Sequence, residues 1–154
     1  MLDSRLMRAV SSMGLSRSLA GWAVGCDSEE GSKRADFQWR PCRPPPGRGK
    51  EWPAGVLEIS HSGTPGKLMS DVCFWLREAN GAVNFILTLQ IDRHSPEIVL
   101  EKWARRRCPC GCDGPPHREQ IITIYKRDEK IIVYGGPLVI EFERLFLRPP
   151  RSQN

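Results

Sequence analysis

The residue with the most chemical content in this chain of 154 residues is Glu58, which lies inside the apolar run Gly55-Val56-Leu57-Glu58-Ile59-Ser60. Unpaired charge is costly to bury, so a carboxylate within such a run asks for a metal ion, a partner or an edge position. A second set of reactive types is Cys108, Cys110 and Cys112 with His117. Thiolates and an imidazole are the donors that tetrahedral zinc prefers. Three cysteines alternating within five residues differ from the usual pair of separated knuckles, although Gly111 lends the loop freedom. Zinc held by all four would staple the loop and leave no open coordination position. The other reading is a surface loop carrying free thiols.

Arg105-Arg106-Arg107 precedes that loop and could meet phosphate or simply face water. Ser60, His61 and Ser62 are adjacent, yet no Gly-x-Ser-x-Gly elbow and no placed acid accompany them, so a serine hydrolase is not indicated. Glu101 and Lys102 are neighbours on a predicted strand and point to opposite faces, which rules them out as one site.

The elements that must position these groups follow from apolar spacing. Residues 55–60 read as a buried strand between Pro53 and His61-Ser62-Gly63. Thr64 suits a helix N-cap, with Pro65 at the first position, where no N–H is needed. Leu68, Val72, Trp75, Leu76 and Ala79 repeat at three and four, which predicts a helix over about 64–79 with one stripe toward a core. Asn80-Gly81 ends it. Val83, Phe85, Leu87, Leu89 and Ile91 alternate with Asn84, Ile86, Thr88 and Gln90, the pattern of a strand with one apolar and one mostly polar face. Glu97–Trp103 reads as its hairpin partner after the turn at Asp92–Pro96, and Cys108–Pro116 as a loop. Gln120–Tyr125 and Ile131–Tyr134 predict a second hairpin, and Leu138–Phe142 a last strand or strand–helix transition before Glu143–Arg148. Trp75 and Trp103 fit packed faces, as core anchors rather than stacking platforms.

Composition sets the outer limits. Net charge is +5: residues 1–50 hold nine Lys/Arg against five Asp/Glu, and residues 51–154 hold fourteen against thirteen. The basic, Pro-rich front, with Pro41-Cys42-Arg43-Pro44-Pro45-Pro46-Gly47, predicts a disordered tail over 1–50, which places Trp22 and Trp39 outside the core. One domain then spans 51–148, and 149–154 is a short C-terminal tail. The tail reads either as solvated chain or as a non-specific contact to nucleic acid. Six cysteines without a disulfide-type framework indicate a reducing compartment, so the chain is expected to be intracellular, in nucleus or cytoplasm. The Arg- and Ser-rich Met1–Leu19 stretch also leaves a mitochondrial address open. No apolar run is long enough to span a membrane.

Three pieces together carry a resemblance: Pro53-Ala54-Gly55-Val56-Leu57-Glu58-Ile59-Ser60, then Leu68-x-x-Asp71-x-x-x-Trp75-Leu76, then Glu101-Lys102-Trp103 closing a strand. With the closing segment Leu138–Arg148, they make residues 53–148 resemble a group of uncharacterised fungal proteins related to the PD-(D/E)XK restriction-endonuclease-like superfamily. The order strand, helix, strand, strand, then more strands argues for an α+β or α/β sheet domain rather than a bundle; with the resemblance, the expected fold is α+β and restriction-endonuclease-like, a mixed central sheet with one main helix packed on it. The resemblance also implies a Mg²⁺-dependent phosphodiester-cleaving site, in which two carboxylates hold the ion and a lysine positions water. Relatives place an Asp four residues before the Glu and a Lys two after; here those positions are Ala54 and Ser60. Only Glu58 matches. Some relatives carry the lysine on the following helix, which makes Lys67, with Asp71, the substitute candidate. The alternative for Lys67 and Asp71 is an exposed i,i+4 ion pair. The expectation is therefore a degenerate nuclease-type domain, non-catalytic or weakly active and associated with nucleic acid through basic residues. Its alternatives are a working Mg²⁺ nuclease using Glu58, Asp71 and Lys67, and a zinc-stapled interaction adaptor using Cys108, Cys110, Cys112 and His117.

Overall fold

The computed structural model describes residues 19–21, 25–28, 31–61, 65–92, 94–107, 109 and 113–150. Their elements follow in the order β1 (Leu19–Gly21), β2 (Gly25–Ser28), β3 (Gly31–Arg34), β4 (Phe37–Pro41), β5 (Gly55–His61), α1 (Pro65–Glu78), β6 (Phe85–Ile91), β7 (Glu97–Arg107), β8 (Asp113–Arg127), β9 (Lys130–Tyr134) and α2 (Phe142–Phe146). Seven strands make one sheet in the order β1-β4-β5-β6-β7-β8-β9, while β2 and β3 pair separately as a hairpin. β5 and β6 run parallel and the other neighbours antiparallel, so the sheet is mixed and the class is α+β. A parallel pair needs a crossover, and α1 supplies it.

The helical stripe packs as its spacing predicts: Leu68, Val72, Trp75, Leu76 and Ala79 are all buried. With Val56, Val83, Ile86 and Ala35 they form the core on one face of the sheet. The chain leaves α1 through Asn80 and Gly81, both at positive φ, which glycine adopts without penalty. The opposite face is closed by α2. Leu145 and Phe146 pack there on Leu57, Phe85, Leu87, Leu89, Leu100 and Ile122. Gly55 lies against the Phe85 ring so closely that a Cβ at this position would sit 2.2 Å from Phe85 Cζ.

The domain begins earlier than composition suggests. β4 pairs with both β1 and β5. Trp39 is 3% exposed and packs against Phe37 and Phe85 at ring-centroid distances of 5.0 and 5.8 Å. The boundary expected at residue 51 therefore moves forward, and residues 33–50 belong to the folded unit. The strand signal in Phe37-Gln38-Trp39-Arg40 is only four residues long and is flanked by charged and Pro-rich sequence, so segment composition masks it. The remaining expectations for the front of the chain, a disordered or targeting segment over Met1–Leu19, fall largely outside the described residues.

Two further boundaries shift. β8 starts at Asp113, so Pro115 and Pro116 are strand residues rather than loop. Residues 138–141 form no strand. They and the turn before them are held on the sheet by side chains of β7 and β8: Gln120 Nε2 donates to the carbonyls of Gly135 (2.9 Å) and Pro137 (2.7 Å), its Oε1 accepts from Val139 N at 3.1 Å, and Lys102 pairs with Glu141, while Leu138 and Ile140 pack on the core. Among the described residues no helix is long and apolar enough to cross a membrane.

Candidate functional site

Strand register builds the site. Glu58 on β5 lies beside Thr88 on β6, and Thr88 lies beside Glu101 on β7. Residues paired across a sheet point to the same side, so these three polar side chains form a row beneath α1. All three are buried, at 6%, 0% and 7% exposure. Each has a partner, as buried polar groups require. Trp75 Nε1 on α1 donates to Glu58 Oε1 at 2.5 Å. Trp103 Nε1 donates to Thr88 Oγ1 at 3.3 Å, and Thr88 Oγ1 donates to Glu101 Oε2 at 3.4 Å. Arg118 Nη1 donates to Glu101 Oε1 at 2.6 Å while its guanidinium lies 5.8 Å from the Trp103 ring centroid. Trp75 and Trp103 are thus core anchors, as expected, and their indole N–H groups also supply the polar row.

Lys102 faces the other side, where it pairs with Glu141 at 2.7 Å and Glu119 at 3.1 Å. Glu101 and Lys102 thus point to opposite faces and do not form one site. Glu58 and Glu101 share a face but stand two strand spacings apart, about 9.5 Å. Thr88 stands between them, and their carboxylates are engaged separately, Glu58 by Trp75 and Glu101 by Thr88 and Arg118.

The groups nearest Glu58 in charge come from elsewhere. Lys33 on β3 forms an ion pair and hydrogen bond with Asp71 on α1. Its ammonium also lies 5.2 Å from the Phe74 ring centroid. Asp36, just before β4, accepts the backbone N–H of Ile59 at 2.7 Å and so completes the β5 edge where the β4 ladder ends. Burial raises the Glu58 carboxyl from an ordinary 4.5 to about 7; the Trp75 N–H and the Lys33 ammonium oppose that rise, while the Asp71 and Asp36 carboxylates add to it. Desolvation dominates, so near neutral pH a large share of Glu58 is the uncharged acid.

Asp71 is close enough to influence the Glu58 carboxyl, but its carboxylate is taken by Lys33. Lys67 is exposed on the first turn of α1 and enters neither the predicted site nor an ion pair with Asp71 among the described residues. Sequence reasoning missed Lys33 and Asp36 because both lie in the segment read as tail. The Phe37/Trp39 alternation beside Asp36 was the available signal.

As arranged, these residues do not fit a Mg²⁺ site. One carboxylate is desolvated and hydrogen-bonded to an indole, and the other is neutralised by an ammonium. Among the described residues no group of three or more His, Cys, Asp or Glu side chains is placed to hold a metal ion. Cys108, Cys110 and Cys112 lie outside the described residues; His117 is exposed on β8, opposite Ala104 of β7.

Fold and site together define an α+β domain whose mixed sheet buries a row of hydrogen-bonded polar side chains, two of them acids, beneath α1. No family model, curated protein or solved structure matches the chain.

Proposed function

We propose that this chain is a non-catalytic, degenerate nuclease-type domain that associates with nucleic acid through its basic residues. The state of Glu58 carries the reading. A metal-dependent phosphodiesterase needs ionised carboxylates open to a cation and to water. Glu58 is instead buried, bonded to Trp75 and pushed up to about 7, with Asp71 held by Lys33. The ammonium of Lys33 supplies in permanent form the positive charge that a divalent ion would bring.

Contact with phosphate falls to a cleft at the end of the sheet where β7 finishes. This open cleft of about 630 Å³ is lined by Arg105, Arg106, His117 and Arg144 together with Glu119 and Glu143. Arg144 is engaged by Glu119, whereas Arg106 and His117 are exposed and have no partner among the described residues. Salt-sensitive binding to the phosphate backbone is the behaviour such a cleft supports.

The working-nuclease reading rests on one observation, the mutual influence of Glu58, Asp71, Asp36 and Lys33. For it to operate, Lys33 would have to leave Asp71 and Glu58 would have to ionise. One assay separates the two: single- and double-stranded DNA and RNA incubated with the protein in Mg²⁺ or Mn²⁺. The proposal expects no cleavage. Cleavage that disappears in Glu58→Ala would refute it. In parallel, labelled oligonucleotide should bind more weakly as salt rises and more weakly still to Arg106→Ala; binding indifferent to both would remove the nucleic-acid part.

A further inference from the structure

β9 ends the sheet among the described residues and leaves an edge with little protection. Edge strands are usually blunted by charges, proline or a bulge. β9 is Lys130-Ile131-Ile132-Val133-Tyr134, with a charge only at its first position. Ile131 is 73% exposed, Val133 52% and Tyr134 58%. Val139 and Ile121, at 54% and 44%, extend the apolar surface onto the two faces beside the edge.

The turn fixes which backbone groups face outward. Arg127 pairs with Lys130 across the two residues Asp128 and Glu129, at φ 48 and 61. Positive φ at both central positions is the type I′ hairpin, whose flanking residues exchange both of their hydrogen bonds. Bonded and non-bonded pairs then alternate. Lys130, Ile132 and Tyr134 therefore spend their N–H and C=O groups on β8. Ile131 and Val133 turn theirs to the open edge.

We propose that this edge pairs with β9 of a second copy of the chain, antiparallel about a two-fold axis at Ile132. That register sets Ile131 opposite Val133 of the other copy, twice. It joins the outward-facing backbone groups as bonded pairs, four hydrogen bonds in all, and leaves Ile132 against Ile132 as the non-bonded central pair. Each apolar side chain on one face meets an apolar side chain. On the other face each Lys130 meets a Tyr134, whose ring is already stacked on Tyr125 at 5.7 Å between centroids. A cation beside an aromatic face is attracted to it. A parallel arrangement would instead oppose Lys130 to Lys130. The self-complementary charge pattern and the outward backbone groups thus select one partner and one register, and they make the two sheets continuous. Five residues per copy form a small contact, well short of the roughly 800 Å² per partner of a stable complex, so the association is weak and reversible.

Sedimentation velocity of the full chain from about 10 µM to 1 mM is the test, a range suited to weak association. The expected result is a monomer–dimer equilibrium that Ile131→Lys and Val133→Glu each weaken. Mixing those two variants should restore association, because the new lysine and glutamate face each other across the two-fold. Mixing Ile131→Lys with Ile131→Glu places the charges diagonally and should restore about fivefold less. Both positions are solvent-exposed, and a circular dichroism spectrum identical to wild type confirms that each variant folds. A monomer at every concentration would overturn the proposal and leave the edge to a different chain. So would a dimer indifferent to these substitutions, or equal rescue by both mixtures.

Discussion

Replacing Glu58 by glutamine should remove one pH dependence from the protein's stability. In the native state the carboxyl is raised from 4.5 to about 7, chiefly by burial. Below pH 4.5 the folded and unfolded chains both hold the proton, and the uncharged acid is fully tolerated. Between 4.5 and 7 the unfolded chain releases its proton while the native state keeps it, so stability falls as pH rises. The slope is about 1.4 kcal/mol per pH unit for one group, and over this window the loss totals about 3 kcal/mol. Above 7 the native carboxyl also ionises and the loss levels off. Glutamine keeps an oxygen for the Trp75 N–H and never ionises, so Glu58→Gln removes this one dependence. Urea denaturation of both proteins at half-unit steps from pH 4.5 to 8 measures it, and subtracting the curves cancels every other titrating group. Relative to wild type, the variant should gain progressively to pH 7 and then hold, with a final midpoint shift of about 1–2 M urea. Parallel curves, or a relative loss for the variant, would show that Glu58 is solvated or ionised in the native state. An ionised Glu58 would then be open to a Mg²⁺ ion.

Two other substitutions probe the parts of the chain that composition misassigned. Trp39→Ala should cost about 3–5 kcal/mol, since it empties a buried aromatic site beside Phe85, and thermal melts by circular dichroism would show it; an unchanged midpoint would return β4 to the tail. Lys33→Met removes the cation that holds Asp71 and opposes the rise at Glu58, so the Glu58 midpoint should move above about 7 in a carboxyl carbon NMR titration. A midpoint that stays in place would mean that the β2–β3 hairpin is not seated on α1 in solution.

Sequence alone determined what depends on local periodicity. The helix after Glu58 was legible from Leu68, Val72, Trp75, Leu76 and Ala79, and its end from Asn80-Gly81. β5 and β9 were legible from short apolar runs bounded by turn residues, β6 from apolar alternation, and the opposed directions of Glu101 and Lys102 from the two-residue repeat of a strand. The unusual carboxylate was visible too, because a charge within an apolar run stands out without any structure. What only the tertiary structure decided is the company that carboxylate keeps. Trp75 lies 17 residues away, and Lys33 and Asp71, which pair with each other beside it, are separated by 38 residues. Asp36 reaches the same strand edge from 23 residues before Ile59. Such contacts arise from the parallel β5–β6 crossover and from β4 adding to the far side of β5. Strand neighbours of this kind are chosen by how whole elements bury their faces, and a pattern read along one segment does not contain that choice. For the same reason the identity of Glu58 posed the chemical question, and the indole, the ammonium and the burial around it answered it.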